Sequence, residues 1–187
     1  MRIIAGTLRG LTLAPVGKGD EGAHLRPTTD RVRESIFNVL MGGAYGDPIR
    51  GKEVLDLFAG TGALGFEALS RGAANVTFVD DGTKARALIR RNIDLTRTQG
   101  TTKLFRRDAT KLGDRHGRRA ELVFLDPPYG MGLGEKAIAA ALDGDWLAPG
   151  AIIVWEENRP PEIPPGLRLR DQRKYGDTIV SILERVA

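Results

Sequence analysis

From Val54 onward, short apolar runs alternate with stretches whose apolar residues recur at helical spacing, the pattern of a parallel sheet covered on both faces. The spacing predicts strands at Val54 to Phe58, Asn75 to Asp80, Lys103 to Arg106, Leu122 to Asp126 and Ala151 to Glu156. Helices are predicted between them at about Ala63 to Arg71, Lys84 to Thr98 and Gly134 to Leu142. In the second helix Ala85, Leu88, Ile89 and Ile93 form a buried stripe, and Arg86, Arg90, Arg91 and Arg97 are expected to point outward. Leu167 to Arg173 and Thr178 to Glu184, joined around Tyr175-Gly176-Asp177, read as an antiparallel hairpin closing the sheet.

The region before the alternating part has a different pattern. Residues 2 to 14 hold two β-prone runs around glycines, which predicts a small hairpin, and Pro15 to His24 reads as a loop. After Arg26-Pro27-Thr28-Thr29-Asp30, the residues Val32, Ile36, Phe37, Val39 and Leu40 recur at helical spacing. A helix is expected from about Asp30 to Met41, capped by the hydroxyl and carboxylate groups before it and ended by Gly42-Gly43.

At 187 residues, 41% of them hydrophobic, the chain has material for one sizeable core, so one α/β unit over 1–187 is expected, with 1–25 as an extension. Cysteine is absent, which excludes disulfides, thiolate nucleophiles and cysteine-ligated metal; no metal is expected. No apolar stretch is long enough for a signal peptide or a membrane span, so a soluble, cytoplasmic protein is expected, with no membrane partner. The net charge of +4 is modest, but Lys103, Arg106, Arg107, Lys111, Arg115, Arg118 and Arg119 crowd one segment. Such a run suits either a solvated surface or contacts to phosphates.

Two motifs carry candidate chemistry. The first strand runs through Asp56 into Ala59-Gly60-Thr61-Gly62-Ala63-Leu64-Gly65, a G-x-G-x-x-G loop between strand and helix. Glycines let backbone amides approach a ligand closely, and the helix start offers unpaired N–H groups, so Asp56, Ala59, Gly60 and Gly62 are candidate nucleotide-binding positions. Asp80, 20 residues beyond Gly60, ends the second apolar strand, where a carboxylate can accept both ribose hydroxyl protons. Asp81 is adjacent and competes for that role or for a helix start. Asp108, after the third strand, stands where an adenine amino group would arrive; a solvated turn carboxylate is the competing reading. These features suit NAD, FAD and S-adenosylmethionine alike.

The second motif discriminates among them. The wholly apolar strand Leu122-Val123-Phe124-Leu125 delivers Asp126-Pro127-Pro128-Tyr129 to the carboxyl edge of the sheet, where open α/β sheets bind ligands. A base amino group is a weak nucleophile because its lone pair is delocalised into the ring. Two acceptors on its protons favour a more tetrahedral nitrogen: the Asp126 carboxylate and the Pro127 carbonyl, held in place by the fixed proline φ. Tyr129 offers a flat face for an extruded base. An NAD-dependent oxidoreductase shares the glycine loop but leaves this tetrapeptide without a task.

With those residues in view, the chain resembles the RsmD-type methyltransferases, which modify the guanine N2 amino group in small-subunit ribosomal RNA. The resemblance rests on Arg2-Ile-Ile-Ala-Gly, Arg26-Pro-Thr-Thr-Asp-Arg-Val-Arg-Glu, Asp56-Leu-Phe-Ala-Gly-Thr-Gly-Ala-Leu-Gly, Glu67-Ala-Leu-Ser-Arg-Gly-Ala and Asp126-Pro-Pro-Tyr, and it spans nearly the whole chain. It implies a Rossmann-like, seven-stranded class I methyltransferase sheet, an S-adenosylmethionine donor, and a ribosomal RNA target presented on a partly assembled subunit to a monomeric enzyme. It also implies that Arg26 and Thr28 help close over cofactor and substrate, while Arg31 and Arg33 face RNA. Many relatives carry Phe at Tyr129, an exchange that keeps stacking, and the Lys18 to Gly22 insert has no assigned role. A DNA amino-group methyltransferase acting on adenine N6 or cytosine N4 is the nearest alternative, although no separate domain for reading base edges fits in this length.

Overall fold

The computed structural model describes residues 1–16 and 28–186. The elements run α1 (Asp30–Leu40), β1 (Glu53–Leu57), α2 (Ala63–Ser70), β2 (Asn75–Val79), α3 (Thr83–Thr96), β3 (Thr102–Phe105), β4 (Ala120–Leu125), α4 (Leu133–Asp143), β5 (Leu147–Glu157), β6 (Leu167–Tyr175) and β7 (Thr178–Arg185). Seven strands form one sheet in the order β3-β2-β1-β4-β5-β7-β6. The first five strands are parallel; β7 pairs antiparallel with β5 and with β6. The expected Rossmann-like class I architecture is the one observed.

Strand β4 shows why the sheet must be covered on both sides. Its side chains alternate between faces; Leu122 and Phe124 join one apolar cluster with Phe37, Phe66 and Phe78, while Val123 and Leu125 join another with Ile138, Trp146 and Trp155. All four β4 residues are fully buried. Because the strand order runs outward from β1 to β3 and then resumes on the other side of β1 with β4, the carboxyl ends of the parallel strands β1 and β4 lie side by side. That edge receives the glycine loop from one strand and Asp126 from the other.

The segment before α1 is a minimal hairpin rather than two full strands. One antiparallel bridge joins Arg2 and Thr12, supported by backbone bonds from Ile3 to Leu11 and Gly10 to Ile3. It is held by the body of the protein. Glu67 on α2, fully buried, accepts from the Ile4 amide at 2.8 Å and the Ala5 amide at 3.1 Å. Ser70 contacts Ala5, Thr7 and Leu8, and a Cβ on Gly6 would fall 1.9 Å from the Ser70 carbonyl oxygen. Only glycine fits there, because the neighbour is backbone and cannot yield.

Two expectations about arginines are corrected by the packing. Arg86 on α3 is buried, not outward-facing, whereas Arg90, Arg91 and Arg97 are exposed as expected. The long arginine stem lets the first turn of α3 lie against the protein, an outcome that helical periodicity does not encode. Arg33 on α1 is only 1% exposed, so it does not face RNA. Its guanidinium bonds Asp30 and the Arg2 carbonyl and lies 3.6 Å from Glu67, tying α1, the hairpin and α2 together.

Candidate active site

At the end of β1 the chain turns through Phe58, whose φ of 54° is unusual for a bulky residue, into the glycine loop. The Ala59 amide bonds the Val79 carbonyl at 3.1 Å, and the Gly62 amide returns to the Ala59 carbonyl at 2.8 Å, making a tight loop between β1 and β2. Gly62 begins α2 at φ 80°, and a Cβ there would press to 2.7 Å from the Phe66 ring. Gly62 offers no capping side chain, so the amides at the very start of α2 are left uncapped by it.

The carboxylates around the loop have separate tasks. Asp56, buried beneath it, accepts from the Gly65 amide at 3.1 Å and so anchors the first turn of α2. Burial, and then Asp80 and Glu156 nearby, push its carboxyl well above the usual range. Asp80 receives the Gly60 amide at 3.0 Å and the Gly82 amide at 2.8 Å, which fixes it at the tip of β2. Burial raises its carboxyl, and the two amides oppose the rise. Asp108 caps a short 3-10 turn, with the Thr110 amide at 2.9 Å and hydroxyl at 2.7 Å both on Oδ1; these bonds lower its carboxyl.

Across the sheet edge, Asp126 follows β4 directly and Pro127 is buried behind it. Tyr129 is half-buried, with its hydroxyl 3.1 Å from Thr178 Oγ1 at the start of β7. Burial pushes the phenol up to about 12, so it remains protonated at neutral pH. Thr28 joins the same corner: its hydroxyl reaches both Glu156 oxygens, at 3.2 and 3.3 Å, and its proximity opposes the rise of the Asp126 carboxyl. Burial pushes Asp126 well above the usual carboxylate range, reinforced by Glu156, Asp56 and Glu157.

Glu156 is the residue that the sequence reading missed. It was placed at the end of a strand and given no chemistry. The register pairs Leu125 with Trp155, so the next positions, Asp126 and Glu156, leave adjacent strands together at the catalytic edge. Glu156 is 3% exposed, and burial raises its carboxyl to about 7. The available signal was an acidic pair, Glu156-Glu157, ending an apolar strand beside the Asp126 strand. Its partner Glu157 is otherwise engaged, accepting from the Gly130 and Asn158 amides, both at 3.2 Å.

The remaining candidates separate by location. Arg31 is exposed on α1, and Arg26 and the Lys18 to Gly22 insert lie outside the described residues. Much of the basic segment is engaged within the fold: Arg107 and Arg115 stack on Trp146, Arg118 pairs with Glu53 and Arg119 with Asp145. Lys103, Arg106 and Lys111 are exposed as well, as are the side chains of Arg118 and Arg119. Among the described residues there is no cluster suited to a metal ion and no helix long and apolar enough to cross a membrane.

Residues 1–184 match the family described as Conserved hypothetical protein 95. The Ribosomal RNA small subunit methyltransferase D of Escherichia coli is 36% identical over the whole of this chain and 91% of its own length. A protein of the same name from Haemophilus influenzae is 40% identical over 88% of this chain and 83% of its own. The solved structure of the yhhF protein of Escherichia coli superposes with a TM-score of 0.82 at 34% identity, covering 100% of this chain and 98% of that one.

Proposed function

The chain belongs to the Conserved hypothetical protein 95 family, the RsmD family, and on that premise we propose that it methylates the exocyclic N2 amino group of a guanine in small-subunit ribosomal RNA. The observation that carries the reading is the side-by-side delivery of the glycine loop by β1 and of Asp126-Pro127-Pro128-Tyr129 by β4. A partly assembled subunit is the proposed form of the substrate, and a monomer the proposed form of the enzyme.

The donor assigned to the loop is S-adenosylmethionine, which supplies an electrophilic methyl group on a sulfonium. Gly60 and Gly62 let the backbone come close to it, Asp80 accepts from its ribose hydroxyls, and Asp108 is placed for the adenine amino group. Thr28 is positioned to close the site from the side of α1.

The residues of the β4 edge act on the base. Asp126 accepts a hydrogen bond from one N–H of the amino group and the Pro127 carbonyl from the other, which draws lone-pair density from the ring; the methylated, cationic nitrogen then loses one proton to Asp126 or solvent. Tyr129 stacks on the extruded base, its orientation held through Thr178. Most of the rate enhancement on this reading comes from alignment of nitrogen, carbon and sulfur in a water-poor pocket.

Two measurements test the function. Calorimetric titration with S-adenosylmethionine and with NAD should show binding of the first only. Mass mapping of ribosomal RNA from a strain lacking the protein should show loss of one N2-methylguanine, restored by the wild-type chain and not by Asp126→Ala; unchanged modification would refute the reading.

A further inference from the structure

We propose that Glu156 determines base specificity by accepting a hydrogen bond from N1–H of the target guanine, beside the 2-amino group held by Asp126. The inference rests on the guanine reading above and explains how this fold would choose guanine, a choice the Asp-Pro-Pro-Tyr chemistry leaves open.

The argument starts from register. Asp126 and Glu156 follow the pair Leu125 and Trp155 on adjacent parallel strands, so both carboxylates leave the sheet at the same level. Neighbouring strands are about 4.8 Å apart, a spacing at which two side chains can address adjacent atoms of one base edge. Glu156 is buried, yet among the described residues its two oxygens share a single hydroxyl proton, that of Thr28. One hydroxyl donor is a poor complement to a buried carboxylate, since buried acceptors are normally satisfied. The carboxyls of Asp56 and Asp126 and the protonated phenol of Tyr129 lie close enough to interact with it. No lysine or arginine bonds Glu156 among the described residues.

The missing donors match a single base edge. Guanine presents N1–H and the 2-amino group side by side, both donors. Adenine places the lone pair of N1 beside its amino group, and cytosine that of N3, so either would set an acceptor against the Glu156 carboxylate. Repulsion in a water-poor site then adds to the lost bond, which is why a site built for a donor rejects a base lacking it. Glu157 does not serve in this role, because its Oε1 already takes the Gly130 and Asn158 amides.

The test, run at about pH 8.5 so that the Glu156 carboxyl, raised to about 7, is ionised, uses RNA substrates that differ at the target nucleotide alone: guanine, or 2-aminopurine, which keeps the 2-amino group, replaces N1–H by a lone pair and lacks O6. The wild-type enzyme should prefer guanine in kcat/KM by about 100-fold or more. Glu156→Gln, whose amide can donate to a lone pair, should bring the two substrates to within about tenfold. That change in ratio cancels any difference in intrinsic amine reactivity and any general loss of activity. A ratio unchanged by Glu156→Gln overturns the proposal while leaving the function intact. Failure of the wild type on the guanine RNA overturns both. Should Glu156→Gln not fold, competition binding to the wild type decides: equal affinity for the two RNAs, with equal rates, overturns the proposal.

Discussion

Two buried carboxylate centres in this protein are treated in opposite ways. Glu67, on α2, is surrounded by donors: two backbone amides of the hairpin, Arg71 at 2.9 Å and Arg33 at 3.6 Å. Glu156, at the end of β5, has one threonine hydroxyl for both its oxygens and lies near the acids Asp126 and Asp56. The first centre is complete within the fold and joins the hairpin, α1 and α2. The second has, among the described residues, only that one hydroxyl, and on the proposed reading a substrate that brings donors completes it. Burial alone therefore does not distinguish a structural acid from a functional one; the balance of partners does.

The largest effect expected from this contrast is on stability. Glu67→Ala leaves the buried Arg33 guanidinium with Asp30 as its one carboxylate, and strips Arg71 and the hairpin amides of theirs, so unfolding free energy should drop by about 3–5 kcal/mol in denaturant titration. Asp126→Asn should do the reverse: methyl transfer falls by about 10²–10³-fold, while the melting temperature holds or rises because like charges are relieved. A destabilisation by Asp126→Asn comparable with that of Glu67→Ala would dissolve the contrast.

Asp80→Asn sharpens the separation between the two strand ends. Affinity for S-adenosylmethionine should weaken by about tenfold or more in calorimetry, consistent with lost charged hydrogen bonds of about 1.5–3 kcal/mol, and RNA affinity should be unchanged. The smallest expected effect is a pH dependence of stability. The Glu156 carboxyl is raised from 4.5 to about 7, so the folded protein holds its proton more tightly than the unfolded chain. Its stabilising contribution is complete below pH 4.5 and disappears as pH rises through about 7. The melting temperature of Glu156→Gln relative to wild type should therefore climb between about pH 5 and about pH 8. A flat difference would show that the carboxylate is already satisfied.

The resemblance motifs divide along the same line. Asp56 to Gly65 and Asp126 to Tyr129 are readable as chemistry because each is a contiguous segment with its own local geometry. Arg2 to Gly6 and Glu67 to Ala73 carry no evident chemistry alone. In the structure they meet: Glu67 and Ser70 bond the hairpin backbone, and Gly6 is pressed on Ser70. Arg33 belongs to this assembly, which is why its expected place on the RNA-facing surface does not hold.

Hydrophobic periodicity determined the strands and helices of this chain, since period 2 and period 3.6 are local consequences of backbone geometry, and β1 to β7 lie within a few residues of the expected positions. Motif spacing determined the glycine loop and the Asp126 turn for the same local reason. Only the tertiary structure decided which charged side chains are neutralised. Arg33 meets Glu67 across 34 residues of chain and Glu156 meets Thr28 across 128, and no sequence window spans such contacts. Charge balance in a buried site depends on what arrives from every packed element, so the acid best placed to read the base became visible only once β4 and β5 stood side by side.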